Sequence, residues 1–127
     1  MPALDPCPFC TRIAEPSELP RSATAAVVAD AYPRTPGHLL VVPLSHVGDY
    51  FAVPPNVKAE MWALVDSARS HLLANYRPDG WTVRINIGDV AGQTVDHAHI
   101  HVVPHYTSRT GNTPDENTPE ETCVRSG

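Results

Sequence analysis

The chain has 127 residues, 42% of them hydrophobic, which supports one compact domain around a continuous core and excludes wholesale disorder. A net charge of −5 and a single lysine, Lys58, exclude a dense basic surface for nucleic acid and a lysine-bearing phosphate loop. The N-terminus MPALDPCPFC lacks a basic and apolar leader, and no apolar run approaches the roughly 20 residues of a membrane span. A cytoplasmic protein without a membrane partner is expected.

Taken in chain order, Cys7 and Cys10 come first, spaced as CxxC. With no export signal this pair reads as metal-binding or redox-active, not as part of a disulfide framework. Residues 11–23 are polar and broken by Pro16 and Pro20, a loop with room for one helical turn. Residues 24–29 (TAAVVA) read as a strand, 30–37 as a turn region, and 38–42 (HLLVV) as a buried strand closed by Pro43.

The spacing predicts a long helix over 56–76, because Val57, Met61, Leu64, Val65, Ala68, Leu72 and Leu73 recur at three- and four-residue steps. Asn56 is its expected N-cap, and Pro78 lies just past its end. Residues 81–87 (WTVRINI) alternate as a strand, 88–92 (GDVAG) form a glycine-bearing loop, and 95–103 (VDHAHIHVV) alternate again up to Pro104. From Thr107 the composition turns polar and acidic, so residues 107–127 are expected to be a mobile tail on a domain spanning 1–106. Strands around one long helix imply an α+β fold with an antiparallel sheet.

His97, His99 and His101 carry the chemistry. On a strand, residues two apart share a face, so the three imidazoles would line up roughly 6.6 Å apart, with Ala98, Ile100 and Val102 turned into the core. That spread is too wide for one metal to hold all three. It suits a central histidine that attacks phosphorus while its neighbours donate hydrogen bonds. Just upstream, Gly92, Gln93 and Thr94 supply a small residue, an amide and a hydroxyl, and Asn86 and Gly88 could add donors to phosphate.

The segment GQTVDHAHIHVVP resembles the signature of the histidine triad (HIT) family, His-φ-His-φ-His-φ-φ with φ apolar. PRTPGHLLVVPLSH and CPFC resemble that family's upstream stretch and the N-terminus of many bacterial members. The resemblance covers residues 7–106 and implies a HIT-like fold, an antiparallel sheet of about five strands with one long helix packed on it. It makes His99 the nucleophile, places His101 on the phosphate, and lets Gln93 and Thr94 assist there, with Asn86 and Gly92 nearby. Asp30 would hold the ribose hydroxyls, Phe9 and Pro8 would border the base, and His38 would support the triad. It further implies a homodimer formed through the long helix and its neighbouring strand.

The CxxC spacing lets two thiolates chelate one ion, but a closed zinc site needs two more ligands. Zinc-bearing HIT proteins resemble this chain in adding two histidines, which would be His46 and His97. The implied zinc is structural. A nucleotide derivative would bind with its α-phosphate over the triad, His99 would form a nucleotidyl-histidine, and water would release the monophosphate, with no catalytic metal required. Dinucleoside polyphosphate hydrolysis comes first among the activities, with phosphorolysis and phosphoramidate cleavage as alternatives. Two readings of other classes stay open: a nucleotide-binding module without turnover, and a zinc hydrolase using the triad as ligands. His105, where many relatives carry arginine, and a tail without an apolar closing strand leave the leaving-group specificity open. His71, His105 and Cys123 receive no role.

Overall fold

Two short apolar runs build the centre of the sheet. In this computed structural model, which describes residues 7–107, Ala25–Ala29 (β1) and Leu39–Pro43 (β2) are buried at nearly every position. Continuous burial, instead of alternation, arises because this part of the sheet is covered on both faces. The strands pair antiparallel, Ala25 opposite Pro43 and Ala29 opposite Leu39. Gly80–Arg84 (β3) and Ile100–His105 (β4) complete a four-stranded sheet ordered β1-β2-β4-β3. Four strands stand where about five were expected, and the family's α+β, HIT-like arrangement of antiparallel sheet and long helix is present. The tail foreseen from Thr107 onward lies, apart from Thr107 itself, outside the described residues, and so does Cys123.

One face of the sheet packs on the long helix Pro55–Asn75 (α2). Val27, Leu39, Val41, Ile100 and Val102 meet Met61, Leu64, Ala68 and Leu72 there. Fully burying a side chain of this size contributes about 1.5–3 kcal/mol, so this layer is the main stabilising element. Leu73, expected in the apolar stripe, is instead exposed. The helix starts one residue earlier than its spacing suggested. Pro55 takes the first helical position and Pro54 is the cap, its carbonyl accepting from Val57 and Lys58 N–H, so Asn56 is not the N-cap. Proline suits that first position because its missing N–H would be unpaired anyway.

The opposite face carries Val28, Leu40 and Val42, covered by Cys7 and Phe9. Pro8–Ala14 (α1) is a full seven-residue helix where only a helical turn was foreseen. Its cap is Cys7, whose Sγ accepts from Cys10 N–H at 3.4 Å, and Pro8 holds the first position.

The histidine segment departs most from a simple strand. β4 begins only at Ile100, so His97 and His99 lie on irregular backbone ahead of it, and Pro104 sits inside the strand opposite Trp81. The backbone of 95–99 folds on itself and on the loop after β2: His97 N–H donates to Val95 O, and Ala98 N–H to Val47 O at 2.7 Å. Ala98, Ile100 and Val102 still turn into the core, as the alternation requires. Among the described residues, no helix is long and apolar enough to cross a membrane.

Candidate active site

Three histidines of one short segment take two tautomers, set by three different partners. His99 Nδ1 lies 2.8 Å from the carbonyl oxygen of His97. A carbonyl only accepts, so Nδ1 carries the hydrogen and Nε2 keeps a free lone pair. His97 Nε2 donates to Pro43 O at 2.9 Å, which leaves its Nδ1 as the lone-pair nitrogen. The third assignment runs through His38. Arg34 N–H donates to His38 Nδ1, placing the His38 hydrogen on Nε2, 3.0 Å from His101 Nδ1 and 3.3 Å from Asp30 Oδ2. His101 therefore accepts at Nδ1 and carries its own hydrogen on Nε2.

The rings are not parallel. His99 and His101 stand 5.0 Å apart at 69°, edge to face, and Phe9 meets His99 edge-on at 5.0 Å. The irregular backbone before Ile100 rotates one ring against the next, where a regular strand would have stacked them. Burial favours the neutral form of each ring. It lowers His38 and His99 from the usual histidine value, and it lowers His101 to about 4, helped by the neighbouring His99, Arg84 and His38.

Beside His99 and His101 opens a cavity of about 650 Å³, also lined by Pro8, Phe9, Asp30 and Thr94. That volume falls in the ~300–1,000 Å³ range of small-molecule sites. The expected Phe9, Asp30, Thr94, His99 and His101 therefore meet at one cavity, and His38 reaches it through His101. Arg12, Tyr32 and Leu40 line it as well, and no sequence argument singled them out. Tyr32, 89% exposed, stands two residues past Asp30 and donates its backbone N–H to that carboxylate.

Gln93 is tied into the loops beside the cavity. Its Nε2 hydrogens go to Gly48 O at 2.6 Å and Val95 O at 2.9 Å, and its Oε1 accepts from Gly88 N–H. Both donors are spent tying three loops together, so Gln93 shapes the segment before the triad and does not line the cavity. Gly88 N–H is consumed by the same knot. Gly92 ends a 3-10 turn at φ +94°, and Asn86 Nδ2 holds that turn through Ala91 O.

A second cluster lies on the far side of His97. Cys7 Sγ is 3.5 Å and Cys10 Sγ 3.6 Å from His97 Nδ1, and Cys10 Sγ is 3.3 Å from His46 Nδ1. The four donor atoms all fall within 4.8 Å of one another. Burial and the adjacent Cys7 push the Cys10 thiol up, favouring its protonated form.

Comparison with known proteins agrees with this geometry. The HIT domain family profile matches residues 20–108. The chain is 34% identical over 87 residues to AP-4-A phosphorylase of Mycobacterium tuberculosis, covering 68% of this chain and 45% of that one. It is 30% identical over 101 residues to adenylylsulfatase HINT3 of Arabidopsis thaliana, 77% of this chain and 51% of that one. A HIT family protein from Bacillus anthracis superposes with a TM-score of 0.73 at 32% identity, covering 81% of this chain and 75% of that one. The chain spans 56% of one curated relative, an uncharacterized HIT-like protein of Saccharolobus solfataricus. With the profile covering most of its length and a histidine segment of this form, the chain belongs to the HIT family.

Proposed function

We propose that the protein is a nucleotidyl hydrolase that cleaves dinucleoside polyphosphates, or related nucleoside-phosphate derivatives, through a nucleotidyl-histidine intermediate. The observation that carries this reading is the hydrogen bond from His99 Nδ1 to His97 O, which leaves a neutral nitrogen lone pair at the cavity wall. The base sits between Phe9 and the apolar wall, with the ribose at Asp30 and the α-phosphate over the two ring nitrogens. His99 Nε2 attacks phosphorus, an N–P bond forms, and the P–O bond to the leaving group breaks. His101 Nε2–H donates to a phosphoryl oxygen, where charge develops. Water then attacks phosphorus, the N–P bond breaks, and the nucleoside monophosphate leaves.

The Cys7, Cys10, His46 and His97 cluster is read as a structural zinc site. Zn–S near 2.3 Å and Zn–N near 2.05 Å in a tetrahedron require S···N edges of about 3.5 Å, and the separations of 3.3 to 3.6 Å fit that requirement. A bound ion would anchor α1 and the segment ahead of His99. It needs reduced thiols, in keeping with a cytoplasmic setting. A homodimer through α2 and the edge strand β3 belongs to the same reading, since Trp62, Leu73 and Val83 leave apolar surface exposed there.

Incubation with diadenosine tetraphosphate and with adenosine phosphoramidate, with and without inorganic phosphate, tests the reading. Release of AMP supports it. Phosphate-dependent ADP would make the enzyme a phosphorylase, and bound nucleotide without product would make it a binding module.

A further inference from the structure

Resting on that reading, Arg84 extends the site to the far side of His101. In the sheet, Leu40 of β2 pairs with His101 of β4, and His101 pairs with Arg84 of β3. Directly opposed residues point to the same face, so these three side chains form a row across it, one strand spacing of about 4.8 Å apart. The cavity covers the Leu40 and His101 end of that row. Its lining comes from α1, the loop after β1, β2, the segment before β4, and His101 itself, with nothing from β3. A nucleoside held there with phosphorus over His99 and His101 can place its departing group beyond His101, toward the Arg84 end of the row.

The state of the guanidinium fits such a role. Its Nε donates to Asn86 Oδ1 at 3.3 Å, which aims the group and leaves the four N–H donors of the two terminal nitrogens. Arg84 is half-buried, and among the described residues no carboxylate forms an ion pair with it. Its charge is close enough to the triad to disfavour protonation of His38, His99 and His101. A planar, half-buried cation with a free fork is suited to bidentate contact with an oxyanion.

We propose that Arg84 forms a subsite for an anionic leaving group, so that the enzyme selects substrates expelling a phosphate chain or a sulfate over those expelling a neutral amine. The position is legible as the polar face of the alternating WTVRINI segment, but its neighbour is fixed only by the strand order.

The experiment compares wild type, Arg84→Gln and Arg84→Lys on diadenosine tetraphosphate, adenylyl sulfate and adenosine phosphoramidate. In Arg84→Gln the ratio of kcat/KM for an anionic over the neutral leaving group should fall about 10- to 100-fold, the size of a lost charge-assisted contact. Arg84→Lys should restore part of it. A fall confined to the tetraphosphate or to the sulfate supports the subsite and names its oxyanion. An equal loss on all three substrates, or no loss, overturns the proposal and leaves Arg84 a brace for Asn86. If Arg84→Gln does not fold, Arg84→Met carries the same comparison. Should wild type turn over none of the three, the catalytic reading fails and equilibrium binding decides about Arg84. Wild type should then prefer ADP to AMP and Arg84→Gln should lose that preference, whereas the same preference in both overturns the subsite.

Discussion

The carbonyl oxygen of His97 lies 2.8 Å from Nδ1 of His99, so the backbone of one triad histidine fixes the tautomer of the next. This bond forms because β4 does not begin until Ile100, and the irregular chain before it is free to turn that carbonyl toward the ring. His99→Ala should reduce kcat by about 1,000-fold or more while the protein remains folded, as expected when a nucleophile is removed. The ring is buried against Phe9 but is not part of the layer under α2, so the melting temperature should shift only slightly. Undiminished product release by the folded variant would remove His99 from the mechanism.

Acid affects activity and stability in the same direction. Burial holds His101 at about 4, and it lowers His38 from its usual value despite the Asp30 carboxylate beside it. An unfolded histidine takes its proton near 6.5. Between these values the unfolded chain binds more protons than the folded one, so the stabilising contribution is complete above about pH 6.5 and declines as pH falls toward 4. Urea melts should show no gain above pH 7 from these groups and a progressive loss below 6.5. The acid limb of kcat/KM should likewise sit below 6.5, and a limb centred at 7 or higher would contradict neutral, buried rings.

Much of this was readable in the sequence because period-two alternation survives even where the strand does not. Ala98, Ile100 and Val102 pack into the core, and the histidines between them turn to the other side. The orientation of each ring was not readable. It depends on the Gln93 knot to Gly48 and Val95 and on the Ala98–Val47 bond, contacts between distant segments with no local signature. An amide beside a triad, such as Gln93, reads equally well as a phosphate donor or as a loop brace, and only the fold shows its bonds to Gly48, Gly88 and Val95. Helix α1 was missed because a cysteine as N-cap is not a common start signal, although Pro8 at its first position was one. His46, 36 residues from Cys10, entered only through the family resemblance, and here the two side chains meet at 3.3 Å.

The Cys/His cluster predicts a measurable metal. Protein purified without chelator should contain about one zinc per chain by elemental analysis, in line with a closed four-ligand site. Cys10→Ser should abolish it and destabilise the fold by about 3 kcal/mol or more, since bound metal adds directly to folding free energy. If the ion is structural, the folded fraction left after mild chelation should retain the kcat of the untreated enzyme. Full stability of Cys10→Ser, with no metal in wild type, would reduce the cluster to a thiol pair.

Gly37 controls the approach to His38. Its φ of +88° is one that side-chain-bearing residues rarely adopt, and a Cβ there would stand 2.8 Å from Leu72 Cδ2 and 3.3 Å from the Tyr76 ring. Gly37→Ala must either push Leu72 out of the helix–sheet layer or move the loop. The loop is pinned just before Gly37 at two adjacent residues, Thr35 Oγ1 donating to Pro104 O and Tyr106 OH to Pro36 O, so strain passes to the next residue, His38. The substitution should destabilise the protein by about 1–3 kcal/mol in urea melts. It should also lower kcat for the folded fraction, because a displaced His38 no longer keeps the His101 hydrogen on Nε2. Wild-type stability and turnover in Gly37→Ala would show that the loop yields freely, and the tautomer of His101 would then need another explanation.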